Sequence, residues 1–316
     1  MSIMQNRLPH LKNLPMVKWQ RSLSTRLAYE SMGNAKSDRV ALFLHGLMGS
    51  KRNWRTPMRE FLKRHPEFRC VAVDLRGHGE SAPRTFGLPL ESHSIHSASE
   101  DVIHFLQEMN VHPTIVFAHS FGGKVALQLL DIQLKSSSPI PAHTWILDSV
   151  PGKYSDKDHH SPNSVSNIIN TIRNMPTKFS SRDAMMRDIQ SRDISVNIST
   201  WLGTNMVPSS DGAFTWCFDI EVIKRLFDQY CETDLWDSVY GFPDPSSNAH
   251  AVGKLHFIRA GRNKAWKQEH LEQFRKLEVN SNVQLVTMPH VGHWLHSEDL
   301  QGVLDIVDNN SARAFW

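Results

Sequence analysis

The chain has 316 residues, 40% of them hydrophobic, and a formal charge of +3. That length buries one large core, with or without an inserted lobe, and the composition excludes disordered and fibrous classes. The small charge gives no reason to expect nucleic acid or a membrane surface as a partner, and no apolar run reaches the roughly 20 residues of a transmembrane helix.

From Met1 to Tyr29 there is no Asp or Glu, while Arg7, Lys12, Lys18, Arg21 and Arg26 are basic. This is the composition of an organellar transit segment, although Pro9 and Pro15 interrupt any amphipathic helix there. Residues 1–20 are therefore set aside as an N-terminal extension. Cys70, Cys217 and Cys231 are odd in number and form no CxxC pair, which points to a reducing compartment. The expected location is intracellular, mitochondrial or cytoplasmic.

Strands are expected at residues 25–30, 40–44, 70–74, 114–118, 144–147, 255–259 and 283–287. Several are unbroken apolar runs (VALFL, IVFA, WIL), which suits strands covered on both faces, as in a parallel sheet flanked by helices. Helix-period segments at 53–64, 97–109, 121–134, 267–276 and 298–307 alternate with them, and Ser97 with Glu100 has capping-box spacing. This alternation predicts an open, mostly parallel α/β sheet.

The rhythm breaks after Val150. The polar, loop-punctuated stretch that follows (DKDHHSPNS, MVPSSDG, GFPDPSSNAH) carries helical pieces at 164–174, 182–191 and 220–230. The division is then a core of residues 21–150 and 251–316 with a helical lid, 151–250, inserted between the sixth and seventh main strands. Ligands of open α/β sheets bind at the carboxyl ends of the strands, where such a lid would sit. Met175, Met185, Met186, Trp201, Met206 and Trp216 in the insertion suit either an acyl pocket or the insertion's own core.

The stretch FAHSFGGKVAL carries the first chemistry. Ser120 lies between a strand run and a helix run with Gly122 and Gly123 behind it, the context of a nucleophile elbow. Ala118 replaces the usual first glycine and adds only a methyl group. A serine nucleophile needs a base, and MPHVGHWLH offers His290, His293 and His296 after the last strand. His293, between Gly292 and Trp294, is the expected base, with its neighbours in packing roles. The His159–His160 pair falls in a polar loop and is expected to be solvated.

In this architecture the acid usually follows the strand before the histidine strand, but that loop, IRAGRNKAWKQEH, has no carboxylate before Glu269. HTWILDSVPG instead places Asp148 at the carboxyl end of the preceding strand, and the order Ser120, Asp148, His293 suits the fold. Glu269 is the fallback. The oxyanion needs two preorganised donors: the Phe121 amide and, in LHGLMGS, the Leu47 amide. His45, Gly46 and Trp294 are expected beside the substrate. DLRGHGES has the spacing of neither a P-loop nor GxGxxG and is expected to shape the site structurally.

LHGLMGSKRNW, VAVDLRGHGES, AHSFGGKVAL, ILDSVPG and PHVGHW together resemble the α/β-hydrolase superfamily. More narrowly, they resemble its group containing the YbfF-type esterases and α/β-hydrolase domain-containing protein 11. The likeness runs from about Arg21 to the C-terminus and is weakest in the insertion. It implies an esterase or thioesterase acting on small acyl substrates, with no metal or cofactor and the acid within the ILDSVPG segment. Phe121 stands where that group often has methionine. The competing readings are other serine-dependent chemistry on this fold, such as carbon–carbon bond hydrolysis or haloperoxidation, and a ligand-binding receptor.

Overall fold

The run VALFL forms β2 (Val40–Leu44), with all five residues buried. IVFAH forms β4 (Ile115–His119) and HTWIL forms β5 (His143–Leu147), equally buried. These are the sheet's central strands, which explains why their sequences do not alternate in polarity. The computed structural model describes residues 27–85, 87–155, 161–243, 253–277 and 282–311.

With β1 (Tyr29–Gly33), β3 (Arg69–Val73), β9 (Lys254–Ala260) and β10 (Val283–Met288), the sheet has the order β1-β3-β2-β4-β5-β9-β10. Among the described residues only the edge pair β1–β3 of this sheet is antiparallel. Successive residues of a strand point to opposite faces, and the core divides accordingly. Leu42, Val116, Ala118 and Ile146 pack on one side of the sheet. Ala41, Phe43, Phe117 and Trp145 pack on the other.

Helices α2 (Ile95–Glu108), α3 (Phe121–Lys135) and α9 (Gln268–Leu277) cover the first face. Helices α1 (Arg55–Arg64) and α11 (Leu300–Asn310) cover the second. Three boundaries differ from expectation. The first strand begins at Tyr29, and residues 25 and 26 of the expected run lie outside the described residues, as does the extension before them. Helix α2 starts at Ile95 because Ser94, not Ser97, caps it: the Ser94 hydroxyl accepts from the Ser97 amide at 3.0 Å. The last helix splits into α10 (Leu295–Glu298) and α11, with Asp299 capping the second through the Gly302 amide.

The insertion leaves the sheet after β5 and returns at β9, so it follows the fifth of the seven strands described here. It contains α4 (Val165–Arg173), α5 (Arg182–Gln190), α6 (Val196–Thr204), α7 (Ile220–Glu232) and α8 (Trp236–Tyr240). It is not purely helical. β6 (Lys178–Phe179), β7 (Met206–Pro208) and β8 (Phe214–Trp216) form a small antiparallel sheet. Strands of two or three residues are too short to leave a period in the sequence, which is why only helices were expected. The insertion has its own core, which includes Ile168, Met185, Leu202 and Ile223. His159 and His160 lie outside the described residues.

The buried Lys124 of α3 ties this lobe to the sheet. Its ammonium donates to the carbonyls of Gly152 (2.8 Å), Tyr230 (2.6 Å) and Thr233 (2.7 Å). Three acceptors satisfy all three of its protons, the condition for burying a cation tolerably. The clamp joins the start of the insertion to the end of α7 at a helix that begins just past Ser120. Among the described residues no helix is long and apolar enough to cross a membrane.

Candidate active site

Ser120 is the single residue between β4 and α3, and its backbone sits at φ 52°, ψ −116°. A non-glycine residue there costs on the order of 1–3 kcal/mol, so the surroundings must hold it. They do so through its amide, which donates to the Leu147 carbonyl at 3.0 Å, and its carbonyl, which accepts from Gly123 at 2.8 Å. The tight turn explains the glycines after it. A Cβ on Gly122 would lie 2.6 Å from the Leu44 carbonyl oxygen, and one on Gly123 would lie 2.5 Å from the Ser149 Cβ. Position 118 faces no such limit, and the Ala118 methyl packs into the core.

His293 follows β10 and points back at the elbow, with Nε2 3.0 Å from Ser120 Oγ. Its Nδ1 is 2.7 Å from Asp148 Oδ2. Asp148 ends β5 in a left-handed conformation, φ 49°, and its amide donates to the Ile258 carbonyl at 2.8 Å. Three further donors converge on this buried carboxylate: the Ala260 amide (2.9 Å), Trp266 Nε1 (2.7 Å) and Asn263 Nδ2. Because Asp148 accepts at Nδ1, that nitrogen carries the proton, and Nε2 presents its lone pair to the serine hydroxyl. Glu269 takes no part. It is exposed on α9 and pairs with Lys267 at 3.3 Å.

The loop after β2 carries Leu47. Here Met48 adopts φ 57°, and the Gly49 amide donates to the Gly46 carbonyl at 3.0 Å. Two buried imidazoles brace the loop. His45 Nε2 accepts from the Leu75 amide at 3.0 Å, so its Nδ1–H donates to the Gly46 carbonyl at 2.8 Å. His78 Nε2 accepts from the Met48 amide at 3.0 Å, so its Nδ1–H donates to the Arg76 carbonyl at 2.8 Å. Burial pushes His45 down to about 4 and, with the neighbouring His45 ring, His78 down to about 3, so both are neutral. Among the described residues, neither the Leu47 nor the Phe121 amide meets an acceptor.

DLRGHGES is thus a bracing loop, as expected. It supplies His78, and its Asp74 holds Lys51 Nζ at 2.6 Å and the Lys51 amide at 2.7 Å. A Cβ on Gly79, at φ 52°, would lie 2.2 Å from that carboxylate.

A cavity of about 380 Å³ opens over Ser120. Sheet loops line one side with His45, Gly46, Asn53, His119 and His296. The insertion lines the other with Ile168, Ile198, Trp201 and Phe227, and Trp294 closes against Trp201 with ring centroids 5.6 Å apart. Of the six large Met and Trp side chains singled out in the insertion, only Trp201 reaches this cavity; the others belong to the insertion's own core. His290 is exposed, whereas His296 is buried against Trp54. Among the described residues no group of three or more His, Cys, Asp or Glu side chains is placed to hold a metal ion.

The sequence profile of the alpha/beta hydrolase family matches residues 41–306. The chain belongs to that family. This family member is 25% identical over 289 residues to the mouse sn-1-specific diacylglycerol lipase ABHD11, covering 89% of this chain and 83% of the lipase. It is 27% identical over 278 residues to an abhydrolase domain-containing protein of Schizosaccharomyces pombe, covering 86% and 92% of the two chains. Among solved structures, an esterase from a marine microorganism superposes with a TM-score of 0.71 at 21% identity, over 90% of this chain and 99% of that one. The fold is therefore the α/β-hydrolase fold, and the esterase and lipase relatives support hydrolase activity for this member.

Sequence reasoning about this family member named Ser120, Asp148 and His293, and the fold brings the three together. It missed Asn263, Trp266 and the Ala260 amide, which satisfy Asp148, and it missed His78 and His119, which brace the loops. One signal was available: a loop without a carboxylate that still carries Asn and Trp has donors to offer to an acid elsewhere.

Proposed function

We propose that this hydrolase cleaves carboxylic ester or thioester bonds of acyl substrates through a covalent acyl-enzyme. The observation that carries the reading is the hydrogen-bonded series Ser120 Oγ, His293 Nε2, His293 Nδ1, Asp148 Oδ2, at 3.0 Å and 2.7 Å. Ser120 Oγ attacks the acyl carbon while its proton passes to His293 Nε2. Asp148 holds the tautomer and stabilises the imidazolium. The tetrahedral oxyanion takes the Leu47 and Phe121 amides. As the intermediate collapses, the departing alcohol or thiol receives the proton from His293. Water then repeats the sequence, releasing the acid and restoring Ser120.

In this reading residues 151–250 act as a lid, and the apolar side chains they bring to the cavity take the acyl chain. We also assign an intracellular location on Cys70, Cys217 and Cys231, odd in number and without a CxxC pair, mitochondrial if the acid-free stretch before Glu30 is a transit segment and cytoplasmic otherwise. Fusing residues 1–29 to a fluorescent protein tests the mitochondrial arm.

A fluorophosphonate probe tests the chemistry. Folded protein should be labelled on one serine, and Ser120→Ala should resist. Equal labelling of that variant would remove the nucleophile.

A further inference from the structure

His119, the residue before the nucleophile, has no role in the triad, yet its ring lines the cavity. Its Nε2 lies 2.8 Å from the His293 carbonyl oxygen. A carbonyl only accepts, so Nε2 carries the proton. Burial, with the neighbouring His296 and His293, holds this imidazole well below the usual histidine range, so it is neutral and Nδ1 bears a lone pair. Among the described residues Nδ1 has no hydrogen-bond donor.

The space in front of that lone pair exists because residue 46 is glycine. A Cβ there would lie 2.9 Å from His119 Nδ1 and 3.3 Å from Ser120 Cβ. The notch above Gly46 therefore touches both an orphan acceptor and the nucleophile. Its rim is polar but uncharged. Asn53 spends Oδ1 on the Ser50 amide at 2.7 Å, leaving its amino group, and His296 packs on the His119 ring at 4.5 Å. Among the described residues no lysine or arginine lines the cavity, and its one carboxylate, Asp148, already has four donors.

The notch also adjoins the base that would serve the leaving group. The departing oxygen must reach His293 Nε2 to collect its proton, and the His119 ring is 4.7 Å from the His293 ring. In the reading above the acyl chain takes the apolar side chains of the insertion, such as Ile168, Ile198 and Phe227. We propose that the notch above Gly46 binds a free hydroxyl of the substrate's alcohol portion, with His119 Nδ1 accepting its hydrogen. The site then selects esters of uncharged, hydroxyl-bearing alcohols. This rests on the serine-hydrolase reading.

The test compares kcat/KM of the full chain on 2-hydroxyethyl, 2-methoxyethyl and propyl octanoate. The three esters share the acyl group and differ at the position that meets Nδ1. The hydroxyethyl ester should exceed both others by about tenfold or more, because a site built around an acceptor rejects analogues that lack the donor. The methoxy ester keeps the oxygen but carries a methyl group in place of the proton, and the propyl ester keeps the size and loses the hydroxyl, so the two together isolate the donated hydrogen in the unmutated protein. In His119→Phe the ratio of hydroxyethyl to propyl should fall to about one; a merely structural loss would lower both rates and preserve the ratio. Equal rates on the three esters, or a ratio unchanged in His119→Phe, would overturn the assignment while leaving the hydrolase reading intact. Absence of both ester turnover and fluorophosphonate labelling would overturn the hydrolase reading, and this inference with it.

Discussion

Asp148 Oδ2 and His293 Nδ1 meet at 2.7 Å although 145 residues separate them in the chain. The contact joins the end of β5 to the loop after β10, and β9 lies between those strands in the sheet. The carboxylate thus reaches past one strand to the imidazole, and the loop after β9 supplies donors where a carboxylate would otherwise stand.

That relationship separates two carboxylates. Asp148→Asn should lower kcat on a short p-nitrophenyl ester by about 100- to 10,000-fold, since the amide neither fixes the tautomer nor stabilises the imidazolium. Glu269→Gln, altering an exposed side chain, should stay near the unmutated rate. Steady-state kinetics on both variants decides the matter, and a near-normal Asp148→Asn enzyme would sink the assignment.

The elbow makes a prediction about stability. Gly122→Ala forces a methyl group toward backbone atoms, the Leu44 oxygen at 2.6 Å and the His45 oxygen at 2.7 Å. Backbone in a central strand yields poorly, so the cost should be about 1–3 kcal/mol, read as a lower urea midpoint at constant slope. An unchanged midpoint would mean that helix and strand sit farther apart than described.

Acid should unfold the protein through its buried imidazoles. Burial pushes His45, His143 and His296 down to about 4, and His78 and His256, each also beside another histidine, down to about 3. In the unfolded chain these groups titrate near 6.5. Between that value and the folded one, the unfolded state binds more protons, so stability rises with pH across the window. It is fully present above about 6.5 and drains away as pH falls toward 4 and then 3. One such group contributes on the order of 2 kcal/mol between pH 6.5 and 5. Denaturant midpoints at pH 7.5 and 5 should differ accordingly; a flat profile would mean that these imidazoles are hydrated.

Much of this was legible in the sequence because it is local. VALFL, IVFA and WIL read as buried strands from their own composition. Ser120 with Gly122 and Gly123 read as an elbow because the tight turn imposes residue types within three positions. PHVGHW and LHGLMGS identified their loops similarly. Asp148 was legible by a different route, from a position at a strand end and the lack of a carboxylate in AGRNKAW. The short strands of the insertion were not, since β6 has two residues and no period to detect.

The sequence by itself thus determined the sheet and the tight turn at Ser120, and it named the three residues proposed here as the triad. Only the tertiary structure decided what holds them: Ala260, Asn263 and Trp266 reach Asp148 across 112, 115 and 118 residues, and His119 reaches the His293 backbone across 174. Strand and turn preferences act over a few neighbouring dihedrals and are written in consecutive residues. A hydrogen bond between side chains carried on different strands depends on how the whole sheet is ordered, and no local pattern encodes that.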